Sequence, residues 1–210
     1  MVGASGFIGV YTADALQRAG YEVLGTGRNQ KFAEYYSARG IGYVPLDLRD
    51  PDAFEALPKR EVEAVILLAG LLPANEPVDL EKSENAEEYF TVNTVGTVRM
   101  LEYCRKNGIR RAVSTTTYAE VFRSWNKTAP LTEEEPIGFP PAGDHAAYAV
   151  SKRAAAEMMD YYGRQHGMQN AVFRLPPVYG AGPHGSLYEN GTRVTSGLRV
   201  FMDRARQGEP

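Results

Sequence analysis

Gly3-Ala4-Ser5-Gly6-Phe7-Ile8-Gly9 constrains the fold of this chain more than any other segment. Glycines spaced by three that run straight into an amphipathic segment predict a strand-to-helix turn shaped to hold a pyrophosphate. Gly3 permits the tight turn, Gly6 lets the backbone approach the phosphates, and Gly9 lets the helix pack closely on a sheet. The helix that begins there aims its leading N–H groups and its positive dipole end at the anion. The loop contacts expected from this geometry are Gly3, Ser5, Gly6, Phe7, Ile8 and Gly9. Such a turn follows a buried strand, yet only Met1 and Val2 precede it, so the sequence predicts a first strand cut short.

Downstream, apolar strand-like runs alternate with helix-period segments, the pattern of a parallel sheet covered on both faces. Helices are expected at Phe7–Ala19, Lys31–Arg39, Pro51–Leu57, Ala86–Lys106, His145–His166 and Val194–Arg206. Strands are expected at Tyr21–Thr26, Ile41–Leu46, Val62–Leu68, Arg111–Thr115 and Ala171–Leu175. The fold class is therefore α/β, a doubly wound parallel sheet of Rossmann type. Residues 1–175 are expected to form the dinucleotide-binding domain, followed over 176–210 by a Gly/Pro-rich loop and a final helix. Between Tyr118 and Gly143, Pro130, Pro136, Pro140 and Pro141 exclude regular structure. A loop of that length inside a compact domain is usually functional. Its Glu133-Glu134-Glu135-Pro136 run reads as solvated, in a place that suits a substrate lid.

The formal net charge of −3 argues against nucleic-acid or membrane partners. The longest apolar stretch, Ala64–Ala74, is too short to span a bilayer, and no basic region followed by an apolar run opens the chain. Cys104, the sole cysteine, excludes an intrachain disulfide and fits a cytoplasmic setting; amid apolar neighbours it reads as a packing residue. No paired His, Cys or carboxylate spacing suggests a metal.

Tyr148-Ala149-Val150-Ser151-Lys152 carries the chemistry. A spacing of four puts phenol and ammonium on one helix face, where the cation would lower the phenol pKa and suit it to exchange a proton with a substrate hydroxyl. Val113-Ser114-Thr115-Thr116-Thr117-Tyr118 ends a strand in hydroxyls at the carboxyl edge of the sheet, where open α/β folds bind ligands.

Taken in order, the glycine loop, Asp47-Leu48, Asn93 in Val92–Thr97, the Ser/Thr cluster, Tyr148–Lys152 and Arg174-Leu175-Pro176-Pro177-Val178-Tyr179-Gly180 resemble the extended short-chain dehydrogenase/reductase family, in its NAD(P)-dependent sugar epimerase/dehydratase branch. The resemblance covers essentially the whole chain. It implies that Asp47 and Leu48 contact the adenine, that Tyr148 is the acid/base, and that Lys152 binds the nicotinamide ribose and lowers the tyrosine pKa. It also implies a Ser/Thr that orients the reacting oxygen; Thr115 is favoured by its place at the strand end, Thr116 is next, and the downstream Val121-Phe122 would shift the register toward Thr117 or Tyr118. Ala69 and Gly70 fall where the family backbone lies against the cofactor, Asn93 sits in a helix it does not favour, and Pro177 joins the expected cofactor contacts.

Two departures from the family pattern bear on chemistry. Dehydratases of this branch place carboxylates directly after the Ser/Thr, where this chain has Thr116 and Thr117, with Glu120 near but out of register. Epimerase or reductase chemistry is therefore favoured over dehydration. The acid that would bind an adenosine 2′-hydroxyl is expected at the end of the second strand, where Gly27 and Arg28 stand, which favours NADP over NAD. The expected partner is a small molecule, a nucleotide sugar, and a homodimer is compatible with the family. Carbonyl reduction of a non-sugar substrate and a non-catalytic NAD(P)-binding redox sensor are the alternatives. His145 and His184 fall near the expected site. The resemblance also implies that residues 176–210 begin a substrate-binding portion, with a further strand and more of that portion beyond Pro210.

Overall fold

The computed structural model describes residues 1–73, 86–179, 187–189, 192–194 and 197–209. Its parallel strands are β1 (Leu24–Gly27), β2 (Gly42–Pro45), β3 (Ala64–Leu67), β4 (Arg111–Thr117) and β5 (Gln169–Leu175). β1 pairs with β2, and β3 with β4 with β5. Val2 joins the two halves, bridging in parallel to Thr26 on one side and Leu67 on the other. Its N–H donates to Ile66 O at 2.7 Å and its carbonyl accepts from Leu68 N at 2.8 Å. The short leading segment thus fills the centre of a sheet ordered β2-β1-Val2-β3-β4-β5, as a doubly wound fold requires.

The helices are α1 (Phe7–Arg18), α2 (Phe32–Ser37), α3 (Ala86–Tyr89), α4 (Gly96–Lys106), α5 (Gly143–His166) and α6 (Gly197–Gln207). β1 and β2 begin later than the apolar pattern predicts because the residues before them close the preceding helices. Gly20 and Gly40 adopt left-handed backbone (φ +88° and +68°), and the next N–H groups return to the helix, Tyr21 N to Leu16 O and Ile41 N to Tyr36 O. The segment expected as a helix at Pro51–Leu57 is a 3-10 turn at Asp52–Ala56. α3 and α4 form one helical run interrupted by a π-turn at Phe90–Val95. Val194 closes a hairpin strand rather than opening the last helix: β6 (Leu187–Glu189) pairs antiparallel with β7 (Thr192–Val194), and α6 starts at Gly197.

The main core gathers Val2, Leu46, Leu48, Val65, Leu67, Met100, Leu101, Cys104, Met159 and Tyr162. A smaller cluster of Ala4, Ala13, Tyr36 and Ile41 lies beneath the glycine loop. Cys104 is fully buried, and desolvation pushes its thiol up to about 12, so it is a packing residue. Among the described residues, no helix is long and apolar enough to cross a membrane, and no cluster of His, Cys, Asp and Glu is arranged for a metal.

The Tyr118–Gly143 segment is a built structure. It folds into 3-10 turns at Tyr118–Glu120 and Phe122–Ser124 and pairs Val121 with Gly138. Glu135 corrects the solvated reading of the acidic run. Its neighbours Glu133 and Glu134 are exposed, but Glu135 is buried and receives Lys127 Nζ at 2.5 Å.

Candidate active site

Steric crowding accounts for two of the three glycines of the first turn, Gly3 and Gly9. Gly3 has φ +86°, and a Cβ there would lie 2.4 Å from Ala69 N. A Cβ at Gly9 would lie 2.1 Å from Gly3 O, so α1 can cross the loop only at a glycine. Gly6 differs: a Cβ there would meet only Gly3 O, at 3.3 Å, and the residue is exposed. The first two glycines named are demanded by the fold, whereas Gly6 leaves open space above the loop. Gly6 is also the N-cap of α1, supplies no side-chain cap, and is followed by no acidic residue in the first turn. An anion would meet uncapped N–H groups and no opposing carboxylate there. Ser5 and Gly6, and the half-buried Phe7 and Ile8, frame this opening.

Asp47 and Leu48, the expected adenine contacts, follow β2. The Asp47 carboxylate is chelated by Arg49, with Nη2 at 2.7 Å and Nε at 3.1 Å, and this pairing holds it below the usual carboxylate range. Leu48 is a core residue; a Cβ at Gly96 would lie 2.8 Å from its own Cβ. Leu48 can therefore face a ligand with its backbone but not with its side chain. Arg28 is exposed, and its charge reaches Asp47. Pro177 is exposed just beyond β5.

At the other end, Tyr148, Lys152, Asn93 and Gly70 converge. Asn93 is buried within the π-turn, and π-turns recur at functional sites. Its amide donates to Leu71 O at 3.1 Å and to Ser151 Oγ at 3.0 Å, and its Oδ1 accepts from Leu71 N at 2.8 Å. Asn93 thus ties the segment after β3 to α5. A Cβ at Gly70 would lie 3.2 Å from Asn93 Oδ1 and 3.8 Å from Lys152 Nζ, so the bare backbone of Gly70 lies beside both groups. Ala69 passes directly over Gly3 and links the two ends of the cleft.

Burial brings the Lys152 ammonium down to about 8, with the Glu120 charge pulling it back up. Tyr148 stands above its ordinary value because it is buried; a hydrogen bond from Thr117 pulls it down, and the Tyr118 charge pushes it up. The expected lowering of the phenol by Lys152 is not found. The hydrogen bond that favours phenolate comes from Thr117, while Lys152 Nζ lies toward Gly70 and Asn93.

The strand-end hydroxyls also fall differently from the expected order. Side chains alternate along a strand, so Thr116 and Thr117 point apart. Thr116 Oγ1 donates to Glu120 Oε2 at 2.7 Å, and Thr115 sits further back, opposite Phe173. Thr117 is the hydroxyl that meets Tyr148. Its Oγ1 accepts from Ala119 N at 3.2 Å as the N-cap of the 3-10 turn, which leaves its own proton to donate to the phenol. The 3-10 turn was invisible in the residue pattern; the Val121-Phe122 register was the available signal.

The residue pattern gave Glu120 no role. It is fully buried, accepting from Thr116 and from Arg174 Nε at 2.7 Å. Arg174 Nη1 also donates to Thr132 O at 3.4 Å and Glu133 O at 3.3 Å, knotting the long segment to β5. Tyr89 packs edge-on against Tyr148 and donates to Asp144 Oδ2 at 3.2 Å. His145 lies in the first turn of α5, its imidazole lowered by burial against the opposing Asp144 charge. His184 and Gly180 lie outside the described residues.

Residues 1–209 match the NAD dependent epimerase/dehydratase family. The chain belongs to that family. Among similar curated proteins, UDP-glucuronic acid decarboxylase 1 of Xenopus tropicalis is 30% identical over 214 residues, covering 100% of this chain and 46% of the relative. UDP-glucose 4-epimerase of Mycolicibacterium smegmatis is 28% identical over 192 residues, covering 88% of this chain and 58% of the relative. This member of the family spans about half the length of the curated relatives it matches. Its fold is that of the Thermus thermophilus UDP-glucose 4-epimerase solved with NAD (TM-score 0.74, 22% identity, 100% of this chain and 62% of that one). It also superposes on the Thermotoga maritima UDP-glucose 4-epimerase solved with UDP-glucose (TM-score 0.75, 22% identity, 99% and 62%).

Proposed function

We propose that this family member interconverts a secondary alcohol and a ketone on a nucleotide sugar by reversible hydride transfer with an NAD(P) cofactor, as an epimerase. The relay from Ala119 N–H through the Thr117 hydroxyl to the Tyr148 phenol, with Lys152 buried one helical turn on, is the observation that carries this reading. The residues fit the cofactor. The glycine turn offers uncapped N–H groups to a pyrophosphate, and Gly70 offers bare backbone beside Lys152 and Asn93. When bound, the nicotinamide takes up and returns the hydride. Of the two cofactors, Gly27 and Arg28 favour NADP.

Tyr148 takes the proton as the alcohol carbon gives up its hydride, and returns it when the ketone is reduced. Burial favours the protonated phenol, the form that donates to the alkoxide when the ketone is reduced, and the Thr117 hydrogen bond favours the phenolate, the form that takes the proton when the alcohol is oxidised. Lys152 adds a charge near the site, and Asn93 fixes the backbone beside it. Epimerisation requires the ketone to turn over before the proton and hydride return to its other face. Glu120 supports this chemistry over elimination of water: its carboxylate is committed to Thr116 and Arg174.

The test is Tyr148→Phe, assayed for UDP-sugar interconversion without net change in NAD(P)H and, separately, for dinucleotide binding. Removing the acid/base should cut turnover by roughly 10²–10⁴-fold with binding intact. A substitution that leaves turnover unchanged refutes the mechanism, and binding without turnover by the unaltered protein favours a sensor.

A further inference from the structure

In a dinucleotide site selective for a free ribose 2′-hydroxyl, a carboxylate projects from the end of β1. Here that place is absent as well as unfilled. A Cβ at Gly27 would lie 2.4 Å from Ser5 Oγ and 2.7 Å from Tyr43 Oη. The two hydroxyls are bonded to each other, and Tyr43 also donates to Asn29 O at 3.1 Å. Tyr43 is fixed further by stacking on Tyr36, with ring centroids 5.5 Å apart and planes 8° from parallel. Tyr36 is itself fully buried, and its hydroxyl donates to Ala4 O in the glycine loop at 2.6 Å. A side chain at position 27 would therefore have to displace a tyrosine locked beneath the loop, in addition to rotating a serine. Burial also holds the Tyr43 phenol above its ordinary value, so this hydroxyl pair carries no negative charge at neutral pH.

Next to the pair stands Arg28, exposed at the strand end. The carboxylate whose charge it meets, Asp47, is already chelated by Arg49. The ribose end of the cleft thus combines hydroxyls and an available guanidinium, with the acid position sterically closed.

We infer that Ser5 and Tyr43 form a block that bars an acidic side chain from the end of β1, and that with Arg28 they make the ribose end of the site selective for a 2′-phosphate. The inference rests on the proposed dinucleotide function and deepens it: it names the residues that set cofactor choice and the reason a simple acid substitution cannot reverse it.

Isothermal titration of the unaltered chain with NADPH, NADH, 2′,5′-ADP and 5′-ADP reads the selectivity without turnover. A charge-assisted contact to the 2′-phosphate should make NADPH bind roughly 10–100-fold tighter than NADH, with the same order for 2′,5′-ADP over 5′-ADP. Added salt should shrink that ratio. Arg28→Ala should bring NADPH down to the NADH level and leave NADH unchanged. Gly27→Asp alone should weaken NADPH without improving NADH. Combining it with Ser5→Gly and Tyr43→Phe, which open the blocked space, should improve NADH, with circular dichroism verifying the fold of each variant. The inference is overturned if NADH binds as tightly as NADPH, if Arg28→Ala weakens both equally (adenine stacking), or if Gly27→Asp alone switches preference. Binding of neither dinucleotide overturns the underlying function as well, which separates the two failures.

Discussion

The two ends of the cleft are built by different means. At the glycine-turn end the proposed site is made of backbone: Gly3 and Gly9 are glycine because a Cβ would strike main-chain atoms at 2.4 Å and 2.1 Å, and Gly6 leaves open space above the loop. At the Tyr148 end the proposed site is made of side chains in register. Thr117 reaches Tyr148, Thr116 reaches Glu120, Asn93 reaches Leu71 and Ser151, and Arg174 secures Glu120. A backbone site tolerates no added atom at its crowded positions but is indifferent to its neighbours' identity. A side-chain site depends on which of several similar residues falls on which face, and a shift of one residue changes its chemistry.

The largest expected effect separates two glycines within the backbone site. Gly9→Ala puts a methyl into the Gly3 carbonyl, which no rotamer can relieve, and should cost about 3 kcal/mol or more in urea unfolding while abolishing dinucleotide binding. Gly6→Ala, whose Cβ meets one atom at 3.3 Å, should leave the unfolding midpoint nearly unchanged but weaken dinucleotide binding. Equal destabilisation by both would show that Gly6 also serves the fold and would erase the distinction.

The next effect belongs to the side-chain site. Glu120→Gln removes the buried charge opposite Arg174 and loosens the Thr116 and Arg174 contacts together. Breaking such a pair from one side should destabilise by about 3 kcal/mol. It should also lower the Lys152 ammonium further, because Glu120 is the charge that raises it. Unfolding at neutral pH tests the first part. If the cost of Glu120→Gln and Arg174→Met together equals the sum of the two single costs, the pair does not act as a unit.

Lys152 supplies a pH dependence of comparable size but narrower range. Its folded value of about 8 lies below the ordinary 10.5, so the folded state releases its proton first and the unfolded state binds more protons between those values. Its contribution to stability therefore rises with pH from about 8 to 10.5, by up to about 3 kcal/mol, the opposite of a salt-bridged lysine. The difference between the unaltered chain and Lys152→Met, each measured at pH 7.5 and at pH 10, isolates this slope from the tyrosines. A flat difference would place the ammonium in water.

This contrast also explains how much of the protein was legible beforehand. The alternation of apolar runs and the glycine spacing reflect backbone geometry, and both the parallel sheet and the phosphate turn followed from them. Val2 completing the sheet centre did not, because its bridges to Thr26 and Leu67 depend on neighbours distant in sequence. The burial of Glu135 was hidden for a similar reason: in the sequence it is one of three adjacent acids, and its Lys127 partner is set by the fold of the segment. The family resemblance makes Leu48 an adenine contact; its side chain fills the core beneath Gly96, which leaves its backbone for that part. Asn93 was flagged by its poor fit to a helix, although the residue pattern could not show that the helix widens into a π-turn there.

The smallest expected effect is the most discriminating, because it decides the register of the catalytic edge. Thr115, Thr116 and Thr117 are chemically alike and differ in where alternation and the 3-10 turn send them. Thr117→Val removes the donor that favours phenolate, so the Tyr148 phenol should move further above its ordinary value. The limb of the pH–rate profile that requires phenolate should then shift alkaline, and turnover at neutral pH should fall roughly tenfold, as expected for one lost hydrogen bond of this kind. Thr117→Ser should restore both, since a serine keeps the acceptor for Ala119 N and the proton for the phenol. Thr115→Val should leave the profile in place, and Thr116→Val should affect stability through Glu120 more than the pH limb. If the alkaline shift follows Thr115 instead, the strand end has been read one pleat too far. The catalytic edge would then have the register expected from the Ser/Thr cluster alone.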